Sequence, residues 1–373
     1  MRNRLHSICP YFAMFPEEFV REHVELYTRK GDYVLDPFSG RGTTILESLI
    51  LGRNAIAVDV NPVAYCVSSS KANPPKLVDV KSRIRELSQE YHAVKHAALR
   101  AEAALLHPFF NRAFYHTTLL EVLFLRKALR WKTNAVDRFV SALALGSLHG
   151  ERDKSPYYFS NQMMRTISTK PDYSLKYWKE HSLWPRKRDT FDILLKRSEF
   201  RLLESTPALS GAVKLADARV SGSLFKHLKR KVKLVVTSPP YFNVTNYEED
   251  QWLRLWFLGH SAKPTYKTIS VDDRHEDKKR YWGFLEEVWS GMAPLLDDDA
   301  VFVCRIGAKA IARPTLTRKL RESIEAVFPK ATMIKSPHVS EIKNRQAKAF
   351  NPSAAGCLYE VDYTFRVGKH QHN

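Results

Sequence analysis

Thr237-Ser238-Pro239-Pro240-Tyr241-Phe242-Asn243 puts a hydroxyl, two consecutive prolines and two aromatic rings directly after a mostly apolar run at 232–236. The run reads as a buried strand. Prolines lack the backbone N–H, fix φ and push the preceding residue into an extended conformation, so the stretch is expected to be neither helix nor paired strand. A stiff, exposed loop at a sheet edge follows. It would offer the Ser238 hydroxyl, the Pro239 carbonyl and the Tyr241 ring to one small planar substrate. The plainer use of the same residues is a Ser238 cap and a Tyr241 core ring.

A second constellation lies near the amino end. Residues 33–36 read as a short strand, 37–44 as a loop containing Gly40-x-Gly42, 45–51 as an apolar helix and 54–60 as a second strand with Asp59 near its end. A dinucleotide fingerprint would place Gly or Ala where Ile45 stands, and the Gly-Lys-Ser/Thr of a P-loop is absent. Without a phosphate to cradle, the loop is flanked by two carboxylates, Asp36 and Asp59, one suited to an α-ammonium group and one to a ribose diol. A nucleoside carrying an amino acid satisfies both, and S-adenosylmethionine is that molecule. The competing reading makes Asp36 a turn cap and Asp59 the cap of the next helix.

Together the two stretches resemble the amino-methyltransferases of DNA, which methylate N4 of cytosine or N6 of adenine. Asp36-Pro37-Phe38-Ser39-Gly40-Arg41-Gly42-Thr43-Thr44 is similar to their cofactor motif, and Thr237-Ser238-Pro239-Pro240-Tyr241 to their catalytic motif. The resemblance implies cofactor contacts at Asp36, Phe38, Gly40, Gly42, Thr43, Thr44 and Asp59, and catalytic roles for Ser238, Pro239, Pro240 and Tyr241. Phe15-Pro16 resembles an additional cofactor-contact segment, and Asp217 falls where a strand-end acid usually meets the adenine. Residues 10–70 and 212–367 are covered, in the order that puts the cofactor loop first. The implied fold is the Rossmann-like class I methyltransferase fold, an α/β doubly wound mixed seven-stranded sheet. Serine before Pro-Pro-Tyr goes more often with cytosine and Asp or Asn with adenine, so cytosine N4 comes first and adenine N6 second. A restriction endonuclease is a partner the resemblance admits.

The chemistry agrees with this. An exocyclic amine has its lone pair delocalised into the base, and accepting its N–H bonds at Ser238 and the Pro239 carbonyl draws the nitrogen towards a nucleophilic geometry. Positioning and electrostatics then carry the catalysis, with no covalent intermediate. The base must be flipped out of the duplex, and Tyr241, with Phe242, is the expected stacking platform. Two other readings remain. Enzymes methylating N2 of guanine in tRNA share the sheet and a related loop, but usually carry an acid at the position of Ser238 and an added RNA-binding domain. A non-catalytic DNA-binding protein could also retain the fold.

The elements that must position these residues follow a doubly wound pattern: strand, glycine loop, helix, strand, acid. Residues 15–29 and 63–72 read as helices, with Pro74-Pro75 as a boundary. Residues 1–74 and 212–373 are expected to form the methyltransferase domain, and 75–211 a mostly helical insertion between the second and third strands. Helices are expected at 76–105, 114–131 and 136–148. Over 149–189 the periodicity fades and basic residues, among them Arg165, Lys170, Arg186, Lys187 and Arg188, alternate with Tyr173, Tyr177, Trp178 and Trp184. This face is the expected DNA grip, with a helical lid or dimer surface as the alternative. Beyond it come strands at 212–215, 300–306, 332–335 and 358–367, helices at 282–292 and 316–327, and a polar loop at 336–355. Asn243 and Asn246 read as loop-ordering residues, and Trp252, Trp256, Trp282 and Trp289 as helix packing.

Composition fits such a protein. The 373 residues carry 59 Lys+Arg against 40 Asp+Glu, a net charge of +19, which favours a polyanionic partner, most commonly nucleic acid. Four cysteines form no C-x-x-C pair and fourteen histidines no H-E-x-x-H, so no metal or disulfide framework is expected. No apolar segment follows the basic start, and no run approaches the roughly eighteen apolar residues of a membrane helix. A soluble cytoplasmic location, without membrane contact, is the expectation.

Overall fold

The computed structural model describes residues 2–11, 16–150, 155–160, 162, 170–203, 207–242, 247–262, 278–308, 311–341, 357 and 359–367. In chain order they form α1 (Glu17–Tyr27), β1 (Tyr33–Asp36), α2 (Thr43–Ile50), β2 (Asn54–Asp59) and α3 (Pro62–Ala72). Next come α4 (Leu77–Ala93), α5 (Ala97–Leu105), α6 (Pro108–Ala113), α7 (His116–Ala128), α8 (Ala135–Leu145), α9 (Pro171–Glu180) and α10 (Thr190–Arg201). Then follow β3 (Ala212–Leu215), α11 (Ser221–Leu224), β4 (Val232–Thr237), α12 (Tyr247–Phe257), α13 (Lys278–Met292), β5 (Leu296–Gly307), α14 (Arg313–Val327), β6 (Thr332–Glu341) and β7 (Tyr359–Arg366).

The strands make one sheet in the order β3-β2-β1-β4-β5-β7-β6. Pairings from β3 across to β5 are parallel, whereas β7 runs antiparallel to both β5 and β6. This is the mixed, doubly wound seven-stranded sheet of the class I methyltransferase fold. From β1 the chain moves outward to β2 and β3 on one side, then returns to place β4 on the other. The β1/β4 gap is therefore the topological switch point, where α/β sheets bind ligands beyond the carboxyl ends of their strands.

Alternation along the central strands explains why they read as continuous apolar runs. Val34, Leu234, Val236, Val301 and Val303 pack with Phe19, Val20 and Val24 of α1. Their neighbours Leu35, Val235, Phe302 and Cys304 face the other way, into a core shared with Tyr281, Leu285 and Trp289 of α13 and Leu316, Leu320 and Ile324 of α14. With side chains alternating at period 2 and both faces covered, every position must be apolar. Each such side chain contributes about 1.5–3 kcal/mol on full burial.

Two compact units emerge. The sheet unit comprises Ala13–Ala72, Pro207–Asn246 and Ile269–Asn373, and the helical unit Met1–Phe12, Asn73–Thr206 and Tyr247–Thr268. The helical unit thus takes in two segments outside 75–211. Their contacts give the reason: Arg197 Nη2 donates to the Ile8 carbonyl at 3.4 Å, and Arg254 Nε of α12 to that of Leu145 at 3.2 Å. The ring of Trp252 packs 5.2 Å from Phe109. Trp252 and Trp256 are buried there, and Trp282 and Trp289 in the sheet unit, as packing residues.

Three details depart from the sequence reading. The helix expected over 76–105 is interrupted after Ala93, where Val94 takes an extended conformation and His96 folds back to stack on Tyr91 at 4.2 Å. The stretch of faded periodicity contains α9, whose first-turn Pro171 is preorganised for a helix start. The loop expected from 336 is instead the continuation of β6 to Glu341, with Val339 opposite Val361. An outermost strand tolerates Pro337, which falls within a register shift between Lys335 and His338. Among the described residues no helix is long and apolar enough to cross a membrane.

Candidate active site

Asp36 ends β1 and Thr237 ends β4, so the sheet brings the two sequence motifs side by side. The Thr237 hydroxyl donates to Asp36 Oδ1 at 2.7 Å, and the Phe38 N–H to the same oxygen at 3.1 Å. Burial pushes the Asp36 pKa up to about 6, although both hydrogen bonds act to lower it. At the end of β2, Asp59 accepts from Gly40 N at 2.8 Å and from Asn61 N at 2.9 Å. Its pKa is raised to about 7, chiefly by burial, with the neighbouring Asp36 charge adding to the effect. The cap of α3 is not Asp59: Asn61 Oδ1 accepts from Val63 N at 2.8 Å. Two poorly solvated carboxylates thus flank one loop, and a cation or a pair of hydroxyls would relieve both.

Within the loop, Gly40 and Gly42 have φ of +49° and +74°. A Cβ on Gly42 would lie 2.8 Å from Ser68 Cα, so α3 packs directly against the turn. Thr43 and Thr44 open α2, and the Thr44 hydroxyl donates to the Val236 carbonyl at 3.1 Å, which ties the loop to β4. Phe38 lies 6.0 Å from Phe284 and 6.5 Å from Trp289 between ring centres, both edge-on. Pro16 is the N-cap residue of α1, while Phe15 lies outside the described residues.

The residues locking this loop were not flagged by its glycines. Arg41, between them, pairs with Glu17 of α1 at 2.9 Å, both side chains less than a tenth exposed at 8% and 9%. Its Nε donates to Thr43 Oγ1 at 3.1 Å, and the buried Lys71 of α3 donates to its carbonyl at 2.6 Å. An acid directly after Pro16 and an arginine inside a glycine turn were the available signals.

Asp217 stands just beyond β3, whose neighbouring Ala216 N–H donates to the Asp59 carbonyl at 3.0 Å. Its carboxylate is engaged by Arg219 through Nε at 3.0 Å and Nη2 at 2.6 Å, and Arg219 also reaches Glu287 at 2.8 Å. Its hydrogen bonds to these two acids push the Arg219 pKa up. An adenine contact by Asp217 would share an oxygen already bound to arginine.

The Ser-Pro-Pro-Tyr loop corrects the expectation of an exposed, unpaired segment. Ser238 is half-buried, but Tyr241 is only 5% exposed and Phe242 3%. Phe242 forms a parallel bridge with Ala308, and its ring meets Tyr281 edge-on at 5.5 Å. Proline removes donors and leaves acceptors: the Tyr281 hydroxyl donates to the Pro240 carbonyl at 2.9 Å. The aromatic rings that follow then bury as any large apolar side chain does. The Tyr241 hydroxyl donates to Glu360 Oε1 at 2.8 Å and receives a hydrogen bond from Ser238 Oγ at 3.3 Å. Burial and the Glu360 charge push its pKa well up. A flipped base could stack on Tyr241 only if one face of that ring were uncovered. Glu360, on β7, was missed by sequence reasoning. Asn243 and Asn246 lie outside the described residues.

In the helical unit Lys170, Arg186 and Lys187 are exposed, and Arg165 lies outside the described residues. Arg188 is half-buried, its N–H and carbonyl both bonded to the Thr118 hydroxyl at 2.9 and 2.7 Å, so its backbone is pinned to α7. Trp178 is corrected from the surface to the interior: it is 1% exposed and donates to the Gln162 carbonyl at 3.0 Å. Nearby, an open cavity of about 580 Å³ is lined by Arg112, Leu175, Lys176, Lys179, Ser182 and Trp184. Trp184 is 70% exposed, with the Arg112 guanidinium 3.4 Å from its ring centre.

Comparison with known proteins identifies the family. The profile of the DNA methylase family, the N6/N4 methyltransferases, matches residues 2–68 and 232–362, more than half of the chain, and the protein belongs to that family. The Type II methyltransferase M.BsoBI of Geobacillus stearothermophilus is 23% identical over 277 residues, 69% of this chain and 53% of the relative. The Type II methyltransferase M.MjaII of Methanocaldococcus jannaschii is 31% identical over 67 residues, 18% of this chain and 13% of the relative. The chain therefore spans about half the length of M.BsoBI and less of M.MjaII. Among solved structures, TrmN from Thermus thermophilus aligns at 11% identity with a TM-score of 0.38, covering 98% of this chain and 52% of that one, a likeness too loose to bear on function.

Proposed function

We propose that this protein is an S-adenosylmethionine-dependent DNA methyltransferase acting on the exocyclic amine of a flipped base, with N4 of cytosine as the target and N6 of adenine as the second choice. The observation that carries this is the Thr237–Asp36 hydrogen bond, which fixes the Ser-Pro-Pro-Tyr loop beside the glycine loop at the switch point. The residues fit the cofactor: Asp36 is a buried carboxylate and Asp59 a half-buried one, suited to an ammonium and a ribose diol, and Phe38 lies in the same loop. When bound, S-adenosylmethionine supplies an electrophilic methyl group on sulfonium. Ser238 and the Pro239 carbonyl hold the amine N–H bonds, which orients the nitrogen lone pair.

The serine before Pro-Pro-Tyr supports cytosine. The helical insertion, residues 75–211, is the proposed DNA grip, with Lys170, Arg186 and Lys187 on its surface and the Trp184 cavity offering a ring and cations to the strand. The Type II methyltransferase relatives support a role in restriction and modification; an endonuclease partner and a cytoplasmic location belong to the same proposal.

The test is to incubate the protein with methyl-labelled cofactor and either unmethylated duplex DNA or tRNA, then identify the labelled nucleoside. N4-methylcytosine in DNA is expected. Label confined to N6-methyladenine would overturn the base assignment, and label confined to tRNA would overturn the DNA assignment.

A further inference from the structure

Methylation of an amine leaves the nitrogen with one proton too many, and the loop that holds the amine has no base of its own. We propose that Glu360 is the terminal acceptor of that proton, reached from Ser238 through the Tyr241 hydroxyl. The proposal rests on the reading of the site above.

Two hydrogen bonds set the direction. Ser238 Oγ donates to Tyr241 at 3.3 Å, and Tyr241 donates to Glu360 Oε1 at 2.8 Å. A serine hydroxyl that spends its proton forward keeps its lone pairs for the amine N–H behind it. The chain ends on a carboxylate whose side chain is 17% exposed, so water can collect the proton. Arg305 Nη1 lies 3.8 Å from the second Glu360 oxygen, while Arg305 Nη2 donates to Asp362 at 2.8 Å. That arrangement holds Glu360 in place and leaves Oε1 to Tyr241.

The sheet makes room for this contact. Glu360 of β7 stands opposite Gly307 of β5. A Cβ on Gly307 would lie 3.1 Å from the Tyr241 ring and 2.7 Å from the Tyr359 carbonyl. Any larger residue would push on the ring or the strand, so glycine there lets the ring lie beside the β5/β7 ladder.

In the step itself the amine nitrogen forms its bond to the methyl carbon as the carbon–sulfur bond breaks, its electron pair staying on sulfur. The nitrogen then gives a proton to Ser238 Oγ, Ser238 gives its own to Tyr241, and Tyr241 gives its own to the Glu360 carboxylate. Both hydroxyls are restored, and Glu360 holds the proton until water removes it.

Glu360→Gln keeps an acceptor for Tyr241 but cannot take a proton, and Tyr241→Phe removes the middle of the relay. Single-turnover methylation of duplex DNA is measured from pH 5.5 to 9, with calorimetric Kd values for cofactor and DNA and the Tm of each variant. Both variants should lose about 100-fold or more in rate, within the range of general acid–base catalysis. Binding and Tm should stay at wild-type values, and formate should restore part of the rate to Glu360→Ala. A wild-type rate in Glu360→Gln, or a rate loss matched by an equal loss of binding, would overturn the relay alone. A wild-type protein that methylates no DNA would overturn the underlying reading as well.

Discussion

Thr237 and Asp36 stand 201 positions apart in the chain and share a 2.7 Å hydrogen bond at the ends of adjacent strands. This bond couples the loop proposed to hold the amine to the carboxylate proposed to hold the cofactor. It also partly offsets the burial that raises the Asp36 pKa to about 6.

The pH dependence follows from the two raised carboxyls, Asp36 at about 6 and Asp59 at about 7, against 3.8 for the ordinary group. Between pH 4 and 7 the folded protein holds more protons than the unfolded chain. Their contribution to stability is therefore fully present below pH 4 and lost as pH rises through 6–7. A cationic, diol-bearing cofactor prefers the ionised carboxylates, so its affinity should rise over pH 5.5–7.5. Thr237→Val should shift that rise to higher pH and weaken binding about 5- to 10-fold near pH 7, the worth of one hydrogen bond to a buried acid. Calorimetric titration across this range checks both, and a flat affinity profile would count against carboxylate recognition.

Gly42→Ala should be costly for two separate reasons. The residue has φ +74°, which costs a side-chain-bearing residue about 1–2 kcal/mol, and its new Cβ would lie 2.8 Å from Ser68 Cα and Cβ. Overpacking of this kind adds about 1–3 kcal/mol. Urea unfolding should show the combined loss, accompanied by a large drop in cofactor affinity, whereas Gly31→Ala, with open space around its Cβ, should show only the conformational part.

Arg41, in the glycine loop, and Glu17 of α1 form a buried pair. Removing either partner should cost about 3–5 kcal/mol, because the other loses the opposite charge that accompanies it in the interior. The Arg41→Met, Glu17→Gln double variant should be less destabilised than the sum of the two single variants. Chemical denaturation of all four proteins measures the coupling, and simple additivity would show that the pair does not act as a unit.

Elements and site were legible to different degrees. The mostly continuous apolar runs marked β1, β2 and β4 to within a residue, because strands covered on both faces carry few polar side chains. The two motifs marked the loops that carry Asp36 and Ser238, because glycine turns and double prolines impose their conformations locally, and Asp59 was read from the end of the second strand. Burial of Tyr241 was not legible, because a ring after two prolines is equally suited to surface or core until Gly307 and Glu360 are known to meet it. Nor was Arg188, whose basic side chain suggests a surface while its backbone is pinned by Thr118, 70 positions away.

What the amino-acid sequence determined by itself was therefore local: which residues could turn, extend, donate or accept, and which family shares the two motifs. Only the tertiary structure decided which of them meet. Sheet order places β4 beside β1 and β7 beside β5, and so pairs Thr237 with Asp36 and Tyr241 with Glu360. Strand β1 meets β4 only after β2 and β3 have intervened along the chain, and β5 meets β7 past β6, so chain order alone does not reveal either pair.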